Sequence, residues 1–386
     1  MNPLARHYTR FRVSERLLLT GHSHQAWPDV AFEGHVEAFE DAALHVDAKW
    51  DRAFEKAERV RTGFRKLLGD PAAEIALGVN THELVVRFLS SLDLRNRPRL
   101  VTTDGEFHTL RRQLGRLRGA GLDVVTIAAR PVDTLAERLA DRVDGSTAAV
   151  LVSAVLFENA RIVPHLEGLG AACKRFDAEL LVDAYHAIGV VPFRVDDHGL
   201  GSAWIVGGGY KYLQLGEGNC FLRVPPHAYD ARPVITGWFA EFDALQESAE
   251  AETTYPRGAA AFAGSTYDPT SHYRAGRVFD FFEEQDLTPE HLRALYLHQL
   301  EVLTRGFDDL DVPDEIATRD RDTPLESFGG FLALVSPHAD QLQAAAHDRG
   351  LLTDSRGHHL RLGPAPYLDD SQLERAIEIL ADVMTR

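Results

Sequence analysis

From residue 74 to residue 206 the chain alternates short runs of strand-forming residues with longer stretches of helical periodicity, and no other feature narrows its possible folds as far. Runs at 74–79, 99–103, 124–127, 148–155, 179–182 and 202–206 read as strands, while 82–92, 109–120, 132–141 and 166–176 carry the apolar spacing of helices. Strands separated by helices of roughly 10 to 15 residues form βαβ units on a mostly parallel sheet. The expected architecture is a large, doubly wound α/β domain over 71–270. Upstream, helical spacing from 29 to 69, stopped at Gly69-Asp70-Pro71, predicts an N-terminal segment (1–70) built on one long helix interrupted near Asp47. Downstream, a helical pattern running from His272 through Phe281 to Gly306, a strand at 329–335 and helices at 339–349 and 371–385 predict a smaller C-terminal α+β domain over 271–386.

Charge and cysteine content narrow the function classes. Lys and Arg number 41 against 58 Asp and Glu, a formal net charge of −17, and a field of that sign repels nucleic-acid backbones and anionic lipid. Two cysteines, Cys173 and Cys220, allow neither a disulfide framework nor a Cys-rich metal site and suit a reducing compartment. The apolar run Leu17-Leu18-Leu19 is too short for a signal peptide, and no stretch of about 18 apolar residues occurs. A soluble, cytoplasmic protein is expected, with small molecules rather than nucleic acid or membrane as partners.

The chemistry concentrates in two segments, Leu-Leu-Val-Asp-Ala-Tyr-His-Ala-Ile-Gly at 180–189 and Ile-Val-Gly-Gly-Gly-Tyr-Lys-Tyr-Leu at 205–213. Ligands of open α/β sheets bind beyond the carboxyl ends of strands, so Asp183 and Lys211 are expected to face one crevice. An amine able to form a Schiff base and a carboxylate beside a ring nitrogen are what pyridoxal 5'-phosphate requires. Gly207-Gly208-Gly209 is expected to let the backbone approach that cofactor closely. Alone, Asp183 reads as a turn residue and Lys211 as a solvated lysine. The pair, with the resemblance that follows, points to the cofactor.

The pattern Asp-x-x-His, a strand, then Gly-Tyr-Lys-Tyr-Leu resembles the kynureninase branch of the class V aminotransferase superfamily, pyridoxal-phosphate enzymes of fold type I. Further segments resemble that branch in the same order: Thr236-Gly237-Trp238-Phe239, Phe262-Ala263-Gly264-Ser265-Thr266, Asp354-Ser355-Arg356, and Leu360-Arg361-Leu362-Gly363-Pro364-Ala365-Pro366-Tyr367. The resemblance implies Lys211 as the cofactor lysine, Asp183 at the pyridine nitrogen, Phe107 over the ring and Tyr210 at the phosphate. It also implies a homodimer with shared active sites, Trp238 and Thr266 reaching the phosphate of the neighbouring subunit.

Other positions follow from chemistry together with the resemblance. Asn80-Thr81-His82 opens a helix, whose N-terminal N–H groups favour an anion, so Thr81 and His82 are expected at the phosphate; Thr81 reads equally as a plain N-cap. His108 is the second candidate for the ring face, or simply a polar residue at a helix start. His186 is placed near the ring oxygen or Asp183, or in the core as a satisfied histidine. Arg361 is expected to hold a substrate α-carboxylate through its planar fork, with Arg356 as the alternative. In the loop 21–28, His22 is a candidate substrate or cofactor contact, and two histidines without a third ligand make a weak metal pattern. That loop departs from the Gly-Asn-Ser-Leu-Gly usual in kynureninases, which leaves the substrate open.

The activity implied is hydrolytic cleavage of the β,γ carbon–carbon bond in an amino acid with a γ-carbonyl. Transamination, β-elimination or C–S cleavage is the alternative. A cysteine desulfurase is disfavoured, since it needs a nucleophilic cysteine well after the lysine and none follows Cys220.

Overall fold

The computed structural model describes residues 2–244 and 253–385. In chain order its strands are β1 (Leu17–Leu18), β2 (Glu74–Gly78), β3 (Arg99–Thr103), β4 (Asp123–Ile127), β5 (Thr147–Ser153), β6 (Glu179–Asp183), β7 (Trp204–Gly208), β8 (Cys220–Val224), β9 (Leu332–Val335), β10 (Leu351–Leu352), β11 (Asp354–Arg356) and β12 (His359–Leu362). The α-helices are α1 (Val30–His45), α2 (Lys49–Leu68), α3 (Thr81–Ser90), α4 (His108–Gly119), α5 (Leu135–Ala140), α6 (Leu166–Arg175), α7 (Thr270–Glu284), α8 (Pro289–Asp309), α9 (Ala339–His347) and α10 (Asp370–Met384).

Seven strands form the main sheet in the order β2-β8-β7-β6-β5-β3-β4. Every residue of β5 is buried, as expected of a central strand covered on both faces. The pairing is parallel except around β8, which runs against both β7 and β2. Periodicity alone could not show that reversal, because the apolar run of β8 reads the same in either direction. The chain moves one way from β3 to β4 and the other way from β5 onward, so the topological switch lies between β3 and β5. A ligand crevice is expected at the carboxyl ends there.

The helical stretch at 29–69 divides at Val46, where φ is +51°, into α1 and α2. Ala53, Ala57, Val60 and Phe64 form the buried stripe of α2, and Gly69 in the left-handed region ends it. The pattern read as continuous from His272 to Gly306 is instead two helices. Thr288 Oγ1 accepts from His291 N–H at 3.2 Å and Pro289 takes the first helical position, so cap chemistry starts α8 afresh.

A three-stranded antiparallel sheet, β11-β12-β9, carries the C-terminal motifs. The N-terminal segment joins this part of the molecule: β1 pairs with β10, and Thr20 bridges to Gly363. Among the described residues no helix is long and apolar enough to cross a membrane.

Candidate active site

A cavity of about 220 Å³ opens at the switch point, lined among others by Thr81, His82, Phe107, Ser153, Asp183, His186, Tyr210 and Lys211. Each comes from the carboxyl end of a strand. Thr81 and His82 follow β2, Phe107 follows β3, Ser153 ends β5, Asp183 ends β6 and Lys211 lies three residues beyond β7. The parallel register sets Ser153 beside Asp183.

Lys211 is buried, and its Nζ lies 2.6 Å from His186 Nε2. The ammonium also sits 5.3 Å from the Phe107 ring centre and 4.9 Å from that of Tyr185. Burial pulls the proton affinity of Lys211 down; Asp183 opposes that shift. Burial likewise raises the Asp183 carboxyl, against a hydrogen bond from Tyr185 N–H at 2.8 Å and the field of Lys211. His186 is held well below an ordinary histidine, by burial first and then by Lys211. An amine partly unprotonated near neutrality thus stands beside a neutral imidazole.

Phe107 caps α4 and meets Phe157 edge-on at 5.4 Å, while His108 turns to the surface. At α3 the Asn80 side chain accepts from Glu83 N–H at 2.9 Å, so the helix has its cap in Asn80 rather than Thr81. The first-turn N–H groups of Thr81 and His82 have no acceptor within the helix and border the cavity. Tyr210 lines the mouth and stacks on His24 at 5.1 Å.

A pyridoxal phosphate suits this donor set: helix N-terminal N–H groups at the cavity for its anion, a buried carboxyl for its ring nitrogen, an aromatic ring for its face and a depressed lysine for its aldehyde. The glycines need a different account from the expected one. A Cβ on Gly207 would strike Phe221, on Gly208 the Tyr185 hydroxyl at 2.5 Å and the Cys220 sulfur at 2.6 Å, and on Gly209 Leu215. Packing against Phe221, Tyr185, Cys220 and Leu215, two of which line the cavity, demands them.

Four expected contacts, Trp238, Thr266, His22 and Arg361, lie outside the cavity wall. Trp238 and Thr266 are at the surface, where Trp238 Nε1 donates to Thr266 Oγ1 at 3.3 Å beside Phe239 and Phe242. His22 does not face the cavity. It is fully buried, with Nε2 2.8 Å from Asp354 Oδ1. Arg361, also buried, grips the same carboxylate with Nε at 2.8 Å and Nη2 at 2.5 Å, and Nη1 donates to Phe157 O at 2.5 Å. Arg356 is half-exposed, 3.9 Å from Asp354.

Glu106 escaped sequence reasoning. It is buried under the cavity, accepting from Thr103 Oγ1 at 2.9 Å, Ser153 N–H at 3.1 Å and Ser153 Oγ at 2.6 Å. Burial pushes its carboxyl up to about 7. In the sequence it is one acid in a turn, and only the neighbouring strand shows that it faces inward.

No protein-family model matches the chain. Among curated proteins it is 27% identical over 367 residues to the kynureninase of Deinococcus radiodurans, covering 90% of this chain and 84% of that one. It is 27% identical over 258 residues to the kynureninase of Pseudomonas fluorescens, covering 65% and 59%. Among solved structures, a C-DES mutant with glycine covalently linked to its PLP cofactor superposes with a TM-score of 0.84 at 16% identity, covering 98% and 99%. A cysteine desulfurase from Thermococcus onnurineus NA1 gives 0.80 at 17%, covering 100% and 98%. At such identities these structures establish the shared fold.

Proposed function

For a chain of the kynureninase-like branch of the class V aminotransferase superfamily, we propose hydrolytic cleavage of the Cβ–Cγ bond in an amino acid with a γ-carbonyl. The chain is a pyridoxal 5'-phosphate enzyme. The observation that carries the reading is the convergence of Lys211, Asp183 and Phe107 on one cavity at the switch point. That cofactor supplies an aldehyde that takes up amines and a ring that accepts electron pairs when its nitrogen is protonated.

The residues divide the work. Lys211, partly unprotonated near neutrality, would hold the cofactor's aldehyde and, when displaced from it, could move protons at the substrate's α-carbon. Asp183 would keep the ring nitrogen protonated, and His186, with Nε2 2.6 Å from Lys211 Nζ, orients the amine. Phe107, lining the cavity, would hold the ring plane. Thr81, His82 and Tyr210 would cradle the phosphate, joined by Trp238 and Thr266 of the neighbouring subunit in a dimer. Arg361 takes the α-carboxylate. In the overall reaction water adds to the γ-carbonyl, the Cβ–Cγ bond breaks, the acyl part leaves as a carboxylic acid and a proton added at Cβ releases alanine.

The cysteines support a carbon–carbon rather than a desulfurase reading. Cys173 and Cys220 are both buried, and burial pushes both thiols up to about 12, so neither presents a thiolate to receive sulfur. The test is incubation of the yellow holoenzyme with γ-carbonyl amino acids, cystine and simple amino donors, with products identified by mass. Alanine plus a carboxylic acid is expected. Pyruvate with ammonia, or a new keto acid, as the sole product would replace this reading with β-elimination or transamination.

A further inference from the structure

The Asp354 carboxylate joins segments far apart in the chain. It accepts from His22 Nε2 at 2.8 Å and from Arg361 Nε at 2.8 Å through Oδ1, and from Arg361 Nη2 at 2.5 Å through Oδ2. Burial by itself would raise this carboxyl; the hydrogen bonds and charges of His22 and Arg361 hold it far below the ordinary range. A carboxylate only accepts, so His22 carries its proton on Nε2. Its Nδ1 is then a bare acceptor, buried without a partner against Gly363, where any Cβ would collide with it. That packing admits a neutral His22 in one orientation, and burial keeps its pKa at about 4.

Arg361 has five N–H donors. Nε and Nη2 each spend one on Asp354 and Nη1 spends one on Phe157 O, which leaves one on each terminal nitrogen. The Phe331 ring lies against the guanidinium, 5.5 Å from centre to Cζ, and packs on His22 at 4.6 Å, so the plane of the fork is held as well as its edge.

We propose that Asp354, itself oriented by His22, is the positioning residue of Arg361. It occupies the side-on edge of the guanidinium, so that only the terminal edge is offered to a substrate α-carboxylate. The inference rests on the assignment of the α-carboxylate to Arg361. It adds that the selection of amino acids over amines depends on two residues that do not line the cofactor cavity.

The experiment measures binding of L-alanine and of its carboxamide to the holoenzyme through the change in cofactor absorbance. Asp354→Asn should weaken alanine by about 10- to 100-fold and alaninamide by about twofold or less, the loss expected when a charged hydrogen bond is misaligned. His22→Phe, which keeps a ring but deletes the donor, should weaken alanine by about threefold or more with alaninamide again unmoved. Arg361→Ala reports on the underlying assignment. If it leaves the alanine-to-alaninamide preference intact, the α-carboxylate does not belong to Arg361 and both ideas fall. If it abolishes the preference while Asp354→Asn and His22→Phe preserve it, the positioning role alone is overturned. Should Asp354→Asn fail to take up cofactor, His22→Phe decides by the same criterion.

Discussion

Lys211 Nζ and His186 Nε2 lie 2.6 Å apart inside a buried cavity, with Asp183 beside them. Burial depresses both bases, and the lysine's charge depresses the imidazole further. A lysine kept partly unprotonated near neutrality can attack an aldehyde, and a neutral imidazole beside it does not compete for its proton.

Lys211 should therefore be the covalent anchor. Borohydride reduction of the holoenzyme followed by peptide mapping is expected to mark Lys211. A mark on Lys49, Lys56, Lys66 or Lys174 would falsify the assignment.

Asp183→Asn should bind cofactor yet turn over about 100-fold more slowly or worse, because a neutral ring is a poor electron sink. Steady-state rates at matched cofactor occupancy measure this. Turnover within threefold of the parent, roughly 0.7 kcal/mol in barrier, removes Asp183 from the role.

Arg361→Lys should not substitute for Arg361, since an ammonium lacks two parallel donors. Loss of a buried charge-assisted pair costs about 2 to 5 kcal/mol, or roughly thirty-fold to several thousand-fold in kcat/KM. Retained kcat/KM for the true substrate would shift attention to Arg356.

Two buried groups should shape stability against pH with opposite signs. The folded pKa of His22, at about 4, lies below its unfolded value, so its contribution is present above about 6.5 and is lost as pH falls toward 4. The folded value of Glu106, at about 7, lies above its unfolded one, so its contribution is present at low pH and is lost as pH rises from about 4.5 to 7. Each shift corresponds to about 3 kcal/mol. Thermal unfolding from pH 4 to 8 should show His22→Phe flattening the acid limb and Glu106→Gln the neutral one; unchanged slopes in both variants would contradict these environments.

Trp238 and Phe242 are exposed, 42% and 46%, at a patch that also holds Thr266. In the proposed homodimer this patch faces the neighbouring cofactor, so Trp238→Ala should loosen both assembly and cofactor retention. Sedimentation and cofactor absorbance across a dilution series test this. A fully active monomer at nanomolar concentration refutes it.

The order of elements and the placement of Asp183 and Lys211 just past strand ends were legible in the one-dimensional pattern. A β5 run buried at every position, the stop at Gly69-Asp70, and Asp183 and Lys211 just past strand ends all express local physics: side-chain period, cap chemistry and the place where strands stop. What only tertiary structure decided were relationships between distant segments. The reversed direction of β8 is set by its neighbours in the sheet, not by its own residues. Gly208 is required by Tyr185 and Cys220, which approach it from other strands and turns. Glu106 faces inward because Ser153 on β5 supplies its hydrogen bonds, and His22 meets Asp354 across 332 positions of sequence. Burial and hydrogen-bond satisfaction depend on what the folded chain brings alongside a side chain, and a single sequence records the side chain without its neighbours.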